Sequence, residues 1–207
     1  NQTIADFLQQ DTAWFERQLI DTQFVGEFKP LDSLSVDIRA GYANSRRAAP
    51  YQTSFEYVRT NSAADPFGAL FVNRLNGNAG EARVTFSDLN EDLYSAGVDV
   101  TYRLTPAIGV TVGGAFSDTS RDVLRREFLF RAGDNFPQGV EALRPDLLLS
   151  QGLVTGLNIR LIEPDETTPR FQAKLRNWAG YAKLNAQFTD ALSLDAGVRF
   201  EKARQSV

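Results

Sequence analysis

The sequence lacks three residue types entirely: among its 207 residues there is no cysteine, no histidine and no methionine. Without cysteine, the chain has no disulfide framework and no thiolate metal site. Without histidine, Ser-His-Asp and Cys-His catalysis are excluded, as is histidine-based ligation of zinc or haem. Any remaining enzyme mechanism would have to use carboxylates, lysine or tyrosine. We therefore expect no catalytic activity, no cofactor and no metal site in this chain.

Long apolar runs are also missing, and so is an excess of positive charge. No run of about 18 apolar residues occurs, which excludes a transmembrane helix. Membrane strands are not excluded, because only every second residue of such a strand faces lipid. The net charge is -4, so we expect no broad basic surface and no nucleic-acid partner. Because the chain starts at Asn1 and has no methionine, we expect a processed or internal piece of a longer protein.

What the sequence has instead is a strict alternation of apolar and polar residues, clearest in residues 192–201 (LSLDAGVRFE). Successive side chains of a strand point to opposite faces, so this stretch predicts a strand with one apolar face and one small or charged face. The same alternation predicts about six long strands, with a continuation of the fourth through residue 130 left open. Their predicted bounds are residues 14–28, 34–46, 93–104, 108–116, 174–188 and 192–201.

The predicted connections alternate between short and long. Turn signals lie at residues 29–33, 105–107 and 189–191, whereas residues 47–92 and 132–171 form two long connections. In an antiparallel meander, all tight turns then fall at one rim and all long connections at the other. Bacterial outer-membrane barrels have this arrangement, with aromatic girdles on an apolar outer band. Aromatic residues near the strand ends suit such girdles, namely Tyr42, Tyr94, Tyr102, Phe116, Trp178, Phe188 and Phe200.

These patterns predict an all-β, antiparallel up-and-down meander that forms part of a transmembrane β-barrel wall. A soluble antiparallel sheet packed on a core also shows alternation. Such a sandwich rarely has connections this long, and the polar faces here are dense in Gly, Ser, Asp and Arg. An open arc would leave two unpaired edges and an uncovered apolar face, so we expect it to be stable only within a full barrel or against another chain. For the locally apolar residues 145–162, a short helix, a folded-in loop and a hairpin all remain open.

The last predicted hairpin also carries a motif. Residues 178–201 (WAGYAKLNAQFTDALSLDAGVRFE) resemble a hairpin from the barrel region of TonB-dependent outer-membrane receptors, in the style of alphaproteobacteria and xanthomonads. In that family, a strand carrying Y-a-k/q-l leads through an l-T-d-x-l turn into a strand that ends G-x-R-Y/F-E. The matching residues are Tyr181, Thr189, Asp190, Leu192, Gly197, Arg199, Phe200 and Glu201. Residues 24–37 and 94–104 resemble other hairpins of this kind.

The resemblance implies that residues 1–207 are part of a receptor barrel, without its plug domain and without the complete barrel. It implies a location in the bacterial outer membrane and a role in active, TonB-dependent uptake of a scarce ligand such as an iron–siderophore complex. The implied partners are outer-membrane lipid, the remainder of the barrel and plug, a small-molecule ligand, and the TonB complex through a missing N-terminal region. A passive porin, an outer-membrane enzyme barrel and a soluble β-sandwich binding module remain alternatives.

Two sets of residues are candidate ligand contacts. A cluster of arginines has three possible roles. It would bind an anionic ligand through charge-assisted hydrogen bonds, it would contact lipopolysaccharide phosphates outside the barrel, or its side chains would simply be solvated. Its members are Arg121, Arg125, Arg126 and Arg131. Aromatic residues of the first long connection would stack on a sugar or aromatic ligand, or pack within the connection. They are Tyr51, Phe55, Tyr57, Phe67 and Phe71, of which Tyr51 and Tyr57 are the predicted ligand contacts.

Two further sets are charged. Arg199 and Glu201 share one face of the last strand and would contact a plug in the lumen, or form the ordinary charge pairs of a barrel wall. An acidic set offers oxygen ligands suited to Ca²⁺, but its spacing matches no EF-hand and favours a solvated acidic loop. This set consists of Asp88, Asn90, Glu91 and Asp92.

Overall fold

The computed structural model describes residues 4–133, 136–164 and 169–207. These residues form one antiparallel sheet of seven strands, which confirms the predicted all-β fold class. The strands are β1 (Asp6–Leu31), β2 (Leu34–Arg59), β3 (Glu81–Thr105), β4 (Ile108–Arg131), β5 (Arg160–Ile162), β6 (Arg170–Thr189) and β7 (Leu192–Ser206).

The long strands follow one another along the sheet, as in an up-and-down meander. Their order is β1-β2-β3-β4-β6-β7, and the short β5 pairs with β4. Between β6 and β7, the antiparallel register places Tyr181 opposite Arg199 and Ala182 opposite Val198. In the part of the chain that the structure describes, no pairing closes β7 onto β1, so the sheet has two edges.

Tight turns and long connections alternate as predicted. Residues 32–33, 106–107 and 190–191 join β1 to β2, β3 to β4 and β6 to β7. Pro106 suits its turn because proline has no N–H with which to continue a ladder. The long connections cover residues 60–80 and 132–169.

The strands are longer than the alternation predicts, and the first long connection is correspondingly shorter. β2 continues to Arg59 and β3 begins at Glu81, so the connection covers residues 60–80 rather than 47–92. β4 continues to Arg131, which confirms the extension that the sequence left open. The alternation ends where apolar and polar residues occur on both faces of a strand. The strands continue beyond that point because the backbone hydrogen bonds between them do not require alternating side chains.

The second long connection contains short helices as well as a strand. After a single 3₁₀ turn (Val140–Ala142), α1 covers Pro145–Leu148 and α2 covers Gln151–Gly156, and β5 follows. Proline opens α1, where its missing N–H costs no helical hydrogen bond. None of the helices within the described ranges is long and apolar enough to cross a membrane.

By its internal contacts the chain divides into two compact units. The first, here called the loop unit, contains both long connections and consists of Asn1–Glu16, Ala48–Asp88 and Leu124–Arg170. The second, here called the strand unit, contains the three tight turns and consists of Arg17–Arg47, Leu89–Val123 and Phe171–Val207.

Both long connections contribute to the core of the loop unit. Asn73 is fully buried, and its side-chain amide donates to backbone oxygens of β2 and β3 at 2.9 and 3.0 Å. The backbone N–H of Asn73 donates to the backbone oxygen of Glu141 at 2.7 Å, and the backbone N–H of Ala132 donates to the backbone oxygen of Leu75 at 3.1 Å. The two connections are therefore joined to each other as well as to the strands. The buried cluster that they complete consists of Phe55, Tyr57, Leu75, Ala82, Leu148 and Ile159.

Candidate functional site

The even-numbered side chains of the strand unit form an apolar face. Because side chains alternate along a strand, residues such as Val98, Val112 and Phe200 all project to this face. Their exposed fractions are 43%, 57% and 72%, although side chains of this kind usually lie inside a protein. The described strands belong to a single sheet, and no second sheet covers the apolar residues. Monomeric soluble proteins rarely expose a contiguous apolar surface of this kind.

Two aromatic pairs lie on this face, and both are formed by predicted girdle residues. Tyr42 of β2 packs against Tyr94 of β3 with ring centroids 5.0 Å apart. Phe116 of β4 packs against Trp178 of β6 at 4.3 Å. Each pair joins neighbouring long strands, so the aromatic residues hold the strands together side by side as well as ending the apolar stretch.

Polar groups follow the aromatic pairs at the next positions on the same face. Beyond Tyr42 and Tyr94, Asn44 donates to Asp92 at 2.9 Å, and the Tyr42 hydroxyl donates to the same carboxylate at 2.9 Å. Beyond the other pair, Arg176 donates to Asp118 at 2.8 Å. The face thus changes along the strands from apolar residues to aromatic pairs to hydrogen-bonded polar groups.

The odd-numbered face of the strand unit carries a line of polar side chains across several strands, here called the polar row (Arg39, Asp99, Tyr181 and Arg199). Arg39 and Asp99 form an ion pair at 2.6 Å, and Arg39 also donates to the Tyr181 hydroxyl at 3.3 Å. That hydroxyl donates to Asp99 in turn. The Arg199 guanidinium lies over the Tyr181 ring, 5.4 Å from its centroid. These contacts join β2, β3, β6 and β7 in one network.

Gly113 makes the polar row possible. This residue lies on β4, between the strands that carry Asp99 and Tyr181. A Cβ atom at this position would overlap the Asp99 carboxylate and would lie 2.5 Å from the Tyr181 ring carbon Cζ. The absence of a side chain therefore lets the tyrosine lie across β4 and reach the carboxylate beyond it.

The structure pairs the predicted residues Arg199 and Glu201 with each other. They are on the same face of β7, and the Arg199 guanidinium donates to the Glu201 carboxylate. Arg199 also belongs to the polar row, so its charge already has partners within the sheet. Contact of these two residues with a plug stays a prediction.

The predicted arginine cluster is divided among separate carboxylates. Arg121 pairs with Glu91 at 2.5 Å, and Arg125 lies 3.5 Å from Glu127. Arg126 projects to the face opposite its neighbour Arg125 and has its own carboxylate partner. An anionic ligand would have to displace these acidic groups, and binding of such a ligand here stays a prediction.

Arg126 and Arg131 each form an ion pair with a glutamate of the loop unit. Arg126 donates to both oxygens of Glu163, at 3.0 and 2.7 Å, and this interaction lowers the pKa of that carboxyl. Arg131 pairs with Glu81 at 2.7 Å.

The two predicted tyrosines have different surroundings. Tyr51 is half exposed and meets Phe86 edge-on, with ring centroids 6.5 Å apart. Tyr57 is buried in the core of the loop unit and donates to the backbone oxygen of Leu143 at 2.9 Å. Burial raises the pKa of Tyr57 to about 12. Both tyrosines lie on β2 rather than in the connection; Tyr57 packs in the core of the loop unit, and Tyr51 keeps an accessible ring. Contact of either residue with a ligand stays a prediction.

The acidic set of the sequence lies on a strand rather than in a loop. All its members belong to β3, where Glu91 pairs with Arg121 and Asp92 accepts from Asn44. Glu91 and Asp92 are consecutive, so they project to opposite faces. Among the residues that the structure describes, no cluster of three or more acidic side chains is arranged to hold a metal ion.

A cavity in the loop unit was not predicted from the sequence. It has a volume of about 390 Å³ and is lined by Phe67, Arg74, Phe136, Gln138 and Glu141, among others. Arg74 and Glu141 lie far apart in the sequence, and no local pattern connects them. The backbone hydrogen bonds and the shared buried cluster of the two long connections bring them to the same cavity.

Comparisons with known proteins give the following results. No family model matches the chain, and no curated protein matches it. Among solved structures, a chain in the structure of the FpvAI–pyocin S2 complex is similar over 98% of this chain and 32% of that chain, with 15% identity and a TM-score of 0.40. A chain in the structure of the membrane pore complex of pneumolysin is similar over 98% of this chain and 57% of that chain, with 11% identity and a TM-score of 0.19. The chain thus spans about a third of the first and just over half of the second, and TM-scores below 0.5 do not assign it to a family.

Proposed function

We propose that this chain is part of the wall of an outer-membrane, TonB-dependent transporter that binds and takes up a scarce small molecule, such as an iron–siderophore complex. The observation that carries the membrane part is the change along the even-numbered face of the strand unit from apolar residues to aromatic pairs to hydrogen-bonded polar groups. The motif in residues 178–201 supports assignment to the TonB-dependent receptors. From that assignment we propose the plug, the TonB complex and the ligand as partners.

The length of the apolar stretches supports a membrane-spanning role. Residues 108–116 and 192–200 alternate over nine positions each, and a tilted transmembrane strand needs about 9–11 residues. The uncovered apolar face argues against a soluble sandwich, because a sandwich would bury it under a second sheet. Lipid is therefore the partner that we propose for this face.

The two tryptophans of the chain offer a direct test of this orientation. We expect brominated phosphatidylcholine vesicles to quench Trp178 strongly, because it lies at the border of the apolar face, and to quench Trp14 of the loop unit several-fold less. Trp14→Phe isolates the fluorescence of Trp178, and Trp178→Phe isolates that of Trp14, so each variant is the control for the other. Equal quenching of both residues, or a folded monomeric chain without detergent or lipid, would overturn the proposal.

Transport is tested in cells that produce the full protein to which this chain belongs. Uptake of a ferric siderophore that stops when TonB is deleted supports the proposed transporter. Entry of small solutes that continues unchanged without TonB supports a passive porin instead and contradicts the proposed function.

A further inference from the structure

Four basic side chains lie together on the even-numbered face of the strand unit, two on β6 and two on β7. They are here called the basic patch (Lys174, Arg176, Lys202 and Arg204). The antiparallel register places Lys202 opposite Trp178 and Arg204 opposite Arg176, so these side chains share one face of the sheet. The patch lies at the ends of β6 and β7 that are remote from their tight turn, on the side of the long connections.

The basic patch begins where the apolar part of the face ends. On β7, Val198 and Phe200 are exposed apolar residues, and Lys202 is the next residue on the same face. On β6, Trp178 is followed on this face by Arg176. A molecule that covers this border needs an anionic group beside a long apolar part. A lipid has both, in its headgroup and its acyl chains.

The even-numbered face of β6 and β7 carries no acidic residue that could balance this charge. β6 contains no aspartate or glutamate, and the two acidic residues of β7, Asp195 and Glu201, lie on its odd-numbered face. From the neighbouring strand β4, Asp118 accepts a hydrogen bond from Arg176 at 2.8 Å. That carboxylate is therefore already engaged with one member of the patch.

The other three members of the basic patch have no such partner. Within the part of the chain that the structure describes, Lys174, Lys202 and Arg204 are exposed and form no ion pair. Like charges directly opposite each other destabilise a strand pair, and Arg204 faces Arg176 in this way. An anion bound between the two strands at this point would therefore stabilise their pairing.

We propose that the basic patch binds the phosphate of an anionic membrane lipid whose acyl chains lie on the adjoining apolar face. The inference rests on the proposed membrane function and adds to it a class of lipid and the place where it binds. The patch selects an anionic headgroup over a zwitterionic one, because each basic residue near a membrane surface strengthens binding of anionic lipid by about fivefold. An acidic protein would match the cations but would leave the apolar residues beside them uncovered.

Trp178 reports on this site because it lies directly opposite Lys202. The experiment uses the Trp14→Phe variant of the whole chain in phosphatidylcholine vesicles that contain a minor share of phosphatidic acid. Bromine is placed on the acyl chains of one lipid or of the other. We expect brominated phosphatidic acid to quench Trp178 about tenfold or more per molecule than brominated phosphatidylcholine, since three unpaired cations face its headgroup.

The two lipids separate failure of this inference from failure of the proposed function. Equal quenching per molecule by both lipids would contradict the basic patch as a lipid site but leave the membrane function standing. Absence of quenching by either lipid would contradict both. A preference that inorganic phosphate abolishes, when sodium chloride of the same ionic strength does not, would show that the patch binds free phosphate instead of a lipid.

Variants locate the lipid preference to the basic patch. We expect Lys202→Gln and Arg204→Gln each to reduce it by about fivefold, and Lys202→Arg, which keeps the charge, to preserve it. Lys183→Gln is the matched control, because Lys183 is an exposed residue of β6 on the odd-numbered face. Quenching by brominated phosphatidylcholine shows in each case that the variant still lies in the membrane. A preference that survives Lys202→Gln and Arg204→Gln together, or that falls equally in the control, would contradict the inference.

Discussion

Replacing Leu148 with alanine should destabilise the loop unit by about 2–5 kcal/mol, because the change leaves a cavity in a packed core. Leu148 has no exposed surface and packs with residues from β2, β3 and both long connections. The free energy of unfolding is measured by urea titration in detergent. Trp14 fluorescence in a Trp178→Phe background reports on the loop unit alone.

The neighbouring leucine provides the control. Leu147 belongs to the same short helix but is 48% exposed, so we expect Leu147→Ala to change the free energy of unfolding by less than about 0.5 kcal/mol. Similar losses for the two variants would contradict the placement of Leu148 in the core.

Replacing Gly113 with alanine should destabilise the strand unit by about 1–3 kcal/mol, the usual cost of overpacking. The added methyl group displaces the Asp99 carboxylate and the Tyr181 ring, and thereby breaks the centre of the polar row. The measurement is urea unfolding in detergent, followed by Trp178 fluorescence in a Trp14→Phe background.

Gly109 is the matched control on the same strand and the same face, because a Cβ atom there has no neighbour within 4 Å. We expect Gly109→Ala to change the free energy of unfolding by less than about 0.5 kcal/mol. In a Tyr181→Ala background, Gly113→Ala should cost less, since the ring is gone. If Gly113→Ala costs as much free energy of unfolding in that background as in the unaltered protein, the Tyr181 ring does not cause the destabilisation, and its predicted clash with a side chain at position 113 is contradicted.

Much of the strand unit follows from local patterns. Alternation and turn residues such as Pro106 and Asp190 define both the strand centres and the tight turns, because each acts over only a few residues. The outer parts of β2 and β3 could not be predicted in this way, since their faces are mixed and their pairing depends on the neighbouring strand.

The candidate sites were less predictable than the strands. The sequence placed Arg125 and Arg126 in one cluster, but alternation along β4 sends them to opposite faces, toward Glu127 and Glu163. Arg74 and Glu141 meet because the two long connections are hydrogen-bonded to each other and share a buried cluster. Contacts of this kind depend on tertiary structure, for which a single sequence carries no local signal.

The shared core of the two long connections limits how this protein can change. Leu75 comes from the first connection and Leu148 from the second, and both are fully buried in the same cluster. A change of length or composition in one connection therefore alters the packing surface of the other. Related chains should exchange the two connections as a matched set, and grafting either one alone onto another sheet should give a poorly folded hybrid.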